Sequence, residues 1–209
     1  MAPLKISVFL STRGIVEMSS TRRGDKNRRK NDHYATPAWC IDVAVDIACG
    51  PASCCHVHGL PFIVDAGCGE GAILSKFEEA GYEGAGIEID PVLAEQARSR
   101  CDGEIVGSDF LSWTPDDLHS AQCSMAVMNP PFSYAQQFVE HALESCGSVL
   151  ALLRLSFLES RKRRAFWQNN PADVYVLSRR PSFMGGKTDS CAYAWFLWGP
   201  GERGSLTVV

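Results

Sequence analysis

The segment Val64-Asp65-Ala66-Gly67-Cys68-Gly69-Glu70-Gly71 constrains the fold more than any other part of this chain. The apolar run at residues 61–65 reads as a buried strand. It breaks into three glycines at alternate positions and gives way to a helical pattern from about Glu70 to Ala80. Glycines at such a turn permit tight bends and let a ligand approach the backbone closely. The rest of the chain repeats this strand-to-helix unit. A first helix, with Thr36 as cap and Pro37 at its first position, is predicted to run to a stop near Gly50-Pro51. Strands at 84–89, 104–106, 124–128 and 147–153 alternate with helices at about 90–100, 133–145 and 158–169. Two last strands, 173–178 and 190–198, have only residues 179–188 between them. The pattern predicts an α/β, Rossmann-like, doubly wound and mostly parallel sheet with an antiparallel C-terminal hairpin at one edge.

At 209 residues the chain suits one such domain. The expected division is a flexible basic segment over 1–31, the domain over 32–200 and a tail over 201–209. No apolar stretch is long enough to cross a bilayer, so no membrane partner is expected. Leu4 to Leu10 lacks the cleavage site of a signal peptide, and Met18 is an alternative start. Nine cysteines, two of them adjacent, do not form a secreted disulfide framework; a reducing, cytoplasmic setting fits them better. The net charge is −4, yet half of the 20 Lys and Arg fall in two islands, residues 22–30 and 161–164. An acidic body repels a polyanion unless such islands lie where it docks. The plainer reading is a disordered basic tail and a solvated helix face.

The glycine spacing is Gly-x-Gly-x-Gly, not the Gly-x-Gly-x-x-Gly that seats a dinucleotide's pyrophosphate. It suits a ligand with no pyrophosphate, carrying an amino acid moiety and a ribose: S-adenosylmethionine (SAM). Asp65, Gly67 and Gly69 are the candidate contacts in the loop. About twenty residues on, Glu88 ends the next strand, where a carboxylate can accept both ribose hydroxyls; Asp90 reads as a helix cap. After the third strand, Asp109 can accept from an adenine amine while Phe110 packs on the ring.

Asn129-Pro130-Pro131-Phe132 follows directly on a hydrophobic strand, at the carboxyl end of the sheet where ligands bind. An exocyclic ring amine is a poor nucleophile because its lone pair is delocalised. If the Asn129 side-chain oxygen and the Pro130 carbonyl each accept one N–H, the nitrogen is pushed toward tetrahedral geometry, with its lone pair aimed at a sulfonium methyl. Catalysis would then come from positioning and preorganised dipoles. The prolines stiffen the loop, and Phe132 offers a face for a base taken out of its stack.

On these residues the chain resembles the SAM-dependent N6-adenine DNA methyltransferases, most closely small phage-type members whose cofactor motifs precede the catalytic one. Asp32-His33-Tyr34-Ala35-Thr36-Pro37-Ala38-Trp39 is similar to that family's cofactor-closing segment, which implies that Tyr34, Thr36 and Pro37 line the methionine end of SAM. The resemblance spans residues 32–198 and implies a class I SAM-dependent methyltransferase fold, DNA as the partner and SAM as the cofactor. Phe132 stands where tyrosine is commoner. There is no separate target-recognition insertion, so recognition falls to loops near 154–164 and 181–189, or to a protein partner.

Arg154, after the fifth strand, either contacts a phosphate or pairs with an acid. Arg161 and Lys187 are further candidate substrate contacts, the latter on a cationic hairpin tip. Cys49, Cys54, Cys55, His56 and His58 crowd one loop, but their spacing is not that of a zinc finger, so no metal is expected. Cys68 reads as a packing residue, and residues 192–198 as a core strand. The same amine-holding logic serves adenine N6 or guanine N2 in RNA, or a protein glutamine amide. A non-catalytic SAM-fold subunit that only binds nucleic acid is a rival of another class.

Overall fold

The computed structural model describes residues 35–50, 61–118, 123–183, 188–201 and 203–209. Helix α1 (Ala38–Cys49) precedes β1 (Phe62–Ala66), α2 (Ala72–Glu79), β2 (Glu83–Ile87), α3 (Pro91–Arg100) and β3 (Glu104–Val106). The second half runs β4 (Met125–Met128), α4 (Ala135–Ser145), β5 (Val149–Arg154), α5 (Arg164–Asn169), β6 (Asp173–Val176), β7 (Tyr193–Trp198) and β8 (Leu206–Val208).

The strands form one sheet in the order β3-β2-β1-β4-β5-β7-β6-β8. From β3 to β5 the pairing is parallel, and β7 runs antiparallel to both β5 and β6. Chain order reverses between β1 and β4, which creates the crevice where open α/β sheets bind ligands. Alternation along each strand splits the core in two. Ile63, Met125, Val127 and Leu150 pack with α1, α2 and α3 on one face; Val64, Ala126, Met128 and Val149 pack with α4 and α5 on the other. Trp195 anchors α1 to the sheet by donating its indole N–H to the Cys40 carbonyl at 2.9 Å.

Several local expectations are corrected. Thr36 does not cap α1; Pro37 holds that position with no side-chain bond, and Thr36 is buried. The expected basic helix at 158–169 is broken. Single 3-10 turns cover Leu155–Leu158 and Arg161–Arg163, and only Arg164–Asn169 is α-helical. The break lies at Ser160, whose φ of 111° no helix accepts.

The hairpin is not the sheet's edge, because β8 adds parallel to β6 within the expected tail. Asp173 secures it, accepting from Arg203, Gly204 and Ser205. Burial alone would raise that carboxyl, but donors from Arg203, Ser205 and Gly204 hold it at about 2. Where reduced thiols were expected, Cys123 and Cys146 form a disulfide. The backbone brings them together, since Gly147 N–H donates to the Cys123 carbonyl at 3.1 Å. No helix among the described residues is long and apolar enough to cross a membrane.

Candidate active site

The carboxyl ends of β1, β2 and β4 stand side by side, with Asp65 in register with both Gly86 and Val127. The turn after β1 holds Gly67, Gly69 and Gly71 at φ of 74°, 55° and 78°, a region closed to most side chains. Gly67 and Cys68 donate their N–H groups to the Ile87 carbonyl at 2.9 and 3.0 Å, so the turn is tied to β2. Glu88, buried, completes the tie. One carboxylate oxygen accepts from Gly69 N–H and the other from Asp90 N–H, both at 2.8 Å. Asp90 caps α3 through Val92 N–H, as its position suggested.

The glycine turn, Glu88, Asp109, Phe110 and Asn129 line a single cleft with Thr36 and Pro131. Asp109 is occupied on one side by Leu111 N–H. Phe110 is walled in by Trp113, Phe138 and His141, at 5.0 to 5.9 Å between ring centroids. Four carboxylates, Glu70, Glu88, Asp90 and Asp109, line this cleft, and no Lys, Arg or His does among the described residues. That charge fits a cationic ligand and opposes a pyrophosphate.

Asp65 stands apart from the cleft. It is 1% exposed, with one oxygen accepting Leu74 N–H at 3.1 Å, a bond that caps α2 from behind. Its other oxygen is buried with no hydrogen-bond partner. Burial, with Glu88 adding to it, raises the carboxyl to about 7. Burial together with Asp65 and Glu88 also pushes the Cys68 thiol up, leaving it a neutral group in the cleft's lining.

At the end of β4, the Asn129 side-chain N–H₂ donates to Thr36 Oγ1 at 3.1 Å. With its nitrogen toward Thr36, the amide has its oxygen on the other arm. Pro131 lines the cleft, and Pro130 is buried. Phe132 is absent from that lining and lines a second cavity. The Arg154 guanidinium covers the Phe132 ring at 4.2 Å from its centroid. Arg154 is in turn held by Tyr193, whose hydroxyl accepts from Nε at 3.0 Å and donates to Asp189 at 2.9 Å. Burial pushes the Tyr193 phenol well above its usual range, so it keeps the proton it donates.

Of the expected site residues, Thr36, Gly67, Glu88, Asp109, Phe110, Asn129 and Pro131 converge on the cleft, and Gly69 is not among its lining residues. Pro37 does not line it. Arg161 is exposed on the broken segment. Tyr34, Lys187 and four members of the Cys/His loop lie outside the described residues. Cys49 is exposed, with its thiol 3.4 Å from the Tyr82 hydroxyl. Sequence reasoning missed Ile89 and Phe138 in the cleft wall, and Tyr193 and Asp189 behind Phe132. Ile89, 57% exposed between two acids, carried a legible signal; Phe138 looks like any core position of a helix.

No protein-family model matches the chain, and no curated protein matches it in sequence. Solved structures do. One is a Pyrococcus horikoshii protein provisionally assigned as an RNA methyltransferase, 16% identical, covering 88% of this chain and 94% of its own, with a TM-score of 0.65. A second is the 23S rRNA methyltransferase ErmE, 18% identical, covering 82% and 71%, with a TM-score of 0.60. The N-terminal domain of human METTL16, solved with SAH, is 14% identical and covers 78% and 68%, with a TM-score of 0.55. The fold is that of the class I SAM-dependent methyltransferases. Within that fold the glycine turn, Glu88 and the end of β4 surround the crevice between β1 and β4.

Proposed function

We propose that the protein transfers a methyl group from SAM to the exocyclic N6 amine of adenine in DNA. The observation that carries this reading is the Asn129 amide, polarised by Thr36 at the mouth of an acid-lined cleft. SAM, when bound, supplies an electrophilic methyl on a sulfonium, a cation suited to that cleft. The Glu88 carboxylate keeps lone pairs beyond those given to Gly69 and Asp90, and these accept the ribose hydroxyls. Asp109 and Phe110 hold the adenine end, and Tyr34 and Thr36 close over the methionine end.

On the acceptor side, the Asn129 oxygen and the Pro130 carbonyl each take one N–H of the amine. Two fixed acceptors draw the lone pair out of conjugation and aim it in line with the methyl. The N–C bond forms as the S–C bond breaks, and the product nitrogen then loses its extra proton to water. No base acts before attack, so the rate rests on preorganisation. Phe132 stacks the extruded base.

Arg154, Arg161 and Lys187 serve the substrate backbone, in a cytoplasmic setting. Sequence specificity is left to the loops at 154–164 and 181–189 or to a protein partner. RNA is the second reading, favoured because two similar structures are described as RNA methyltransferases.

Incubation with tritiated SAM and separate DNA, RNA and protein pools tests the reading. Label in DNA, recovered as N6-methyladenine after digestion to nucleosides, is the expected result. Label in RNA alone selects the second reading, and label confined to protein refutes both.

A further inference from the structure

The second cavity is lined by Phe132, Leu153, Arg154, Ser156, Phe157 and Arg163 among others, with no carboxylate in its lining among the described residues. Both arginines are fixed along one edge only. Arg154 gives Nε to Tyr193, with Asp189 3.9 Å from Nη2 on the same side. Arg163 gives Nη1 to the carbonyls of Ser156, Phe157 and Glu159 at 3.0 to 3.3 Å. No bond from Arg154 Nη1, Arg163 Nη2 or the Ser156 hydroxyl occurs among the described residues. Each guanidinium also lies on a ring, Arg154 on Phe132 at 4.2 Å and Arg163 on Phe157 at 4.5 Å.

The chain pays for this placement. Ser160, at φ 111°, is the single non-glycine with positive φ among the described residues. Its turn breaks the basic segment and folds Arg163 back over the Ser156-to-Glu159 carbonyls, whereas a continuous helix would carry Arg163 outward. Backbone strain of this kind persists where the surroundings demand it, often at ligand sites. Guanidinium covers already occupy one face of each ring, so the cavity presents cationic edges and a hydroxyl. That donor set matches the oxygens of a phosphate.

We infer that Arg154, Arg163 and Ser156 form a subsite for a single backbone phosphodiester beside the nucleotide whose base enters at Phe132. The inference rests on the nucleic-acid reading above and deepens it. It also divides the basic island. Arg163 serves the subsite, while Arg161, Lys162 and Arg164 are exposed and outside the cavity.

The test places a carboxylate at the cavity mouth through Ser156→Glu, at an exposed residue whose side chain carries no internal bond. Binding of a short adenine-containing oligonucleotide is followed by fluorescence anisotropy across a range of salt, with SAM affinity and thermal melting as fold controls. The variant is expected to bind the oligonucleotide about tenfold more weakly, and its salt slope falls by about one phosphate's share, roughly 0.7–0.9. A neutral methylphosphonate at one linkage beside the target reproduces that loss in the wild type and costs nothing more in Ser156→Glu. Ser156→Ala, the milder variant, loses two- to threefold.

Equal oligonucleotide affinity and equal salt slope in wild type and Ser156→Glu overturn the subsite. So does inorganic phosphate that stabilises the wild type, but not Ser156→Glu, while both bind the oligonucleotide alike; the cavity then takes a free anion. Either result leaves the base-amine reading standing. Methyl transfer confined to protein sinks that reading itself.

Discussion

Two cavities share the Asn129-to-Phe132 turn as a common wall, and their charges are opposite. The cleft on the glycine side is lined by four carboxylates and no cation among the described residues. The cavity on the Phe132 side is lined by two arginines and, among the described residues, no acid. The proposed function calls for these two environments, one for a sulfonium cofactor and one for a polyanionic acceptor. On the proposed nucleic-acid reading, the difference would explain how a chain with net charge −4 addresses a polyanion: two of its basic groups stand together in the cavity where the acceptor is proposed to enter. It also predicts that substitutions on the two sides separate cofactor binding from acceptor binding.

Asn129→Ala removes the shared element and has the largest expected effect. Loss of one preorganised acceptor in a water-poor site costs roughly 10²–10³ in turnover. SAM affinity, read by calorimetry, should change little; turnover within tenfold of wild type would break the assignment. Glu88→Gln comes next and acts on the glycine side. A charged hydrogen-bond acceptor is worth about 1.5–3 kcal/mol, so SAM binding should weaken about ten- to a hundredfold. Oligonucleotide affinity should stay constant. Parallel loss of both affinities would show that the cavities are not independent.

The cofactor side was the more legible half in sequence. Its glycines, Glu88, Asp109 and Phe110 are local features of strand ends, and a strand-to-helix pattern is enough to bring them to one crevice. The acceptor side depends on tertiary detail that no spacing encodes. Arg154 was an open choice between phosphate and acid. The structure has it held by Tyr193 and Asp189 and laid on Phe132. Tyr193 looked like any position of a core strand, and Arg163 like one of four basic residues on a helix. The strained turn at Ser160, invisible to helical propensity, is what sets Arg163 apart. Thr36 was misread for a related reason. Thr-Pro is a sound cap signal, but a partner 93 residues away, Asn129, claims the hydroxyl.

That contact supports a third, smaller prediction. Thr36→Val keeps the side chain's shape and removes the acceptor that orients Asn129. With that partner gone the amide is held less firmly in its productive orientation, and kcat should fall about tenfold. Thr36→Ser should restore most of it, with KM for the acceptor nearly unchanged. A Thr36→Ser variant as slow as Thr36→Val would point to packing rather than polarity.

Asp65 sharpens the comparison from beneath, with the smallest effect on turnover. Its carboxyl, ordinarily near 3.8, is raised to about 7 by burial and then by Glu88, with the Leu74 bond opposing. A raised acid is protonated more readily folded than unfolded. Its contribution is therefore fully present below pH 4 and is lost as pH climbs from about 4 to about 7. The slope approaches about 1.4 kcal/mol per pH unit within that window. Asp65→Asn, neutral throughout, should flatten that part of the stability profile in urea titrations of the cofactor-free protein. A cation in the cleft above favours the ionised form, so binding SAM should release a proton from Asp65. Wild-type affinity for SAM should then rise with pH up to about 7, while that of Asp65→Asn does not. Identical pH profiles for the two proteins would remove Asp65 from the cleft's electrostatics and confine the acidic side to its four lining carboxylates.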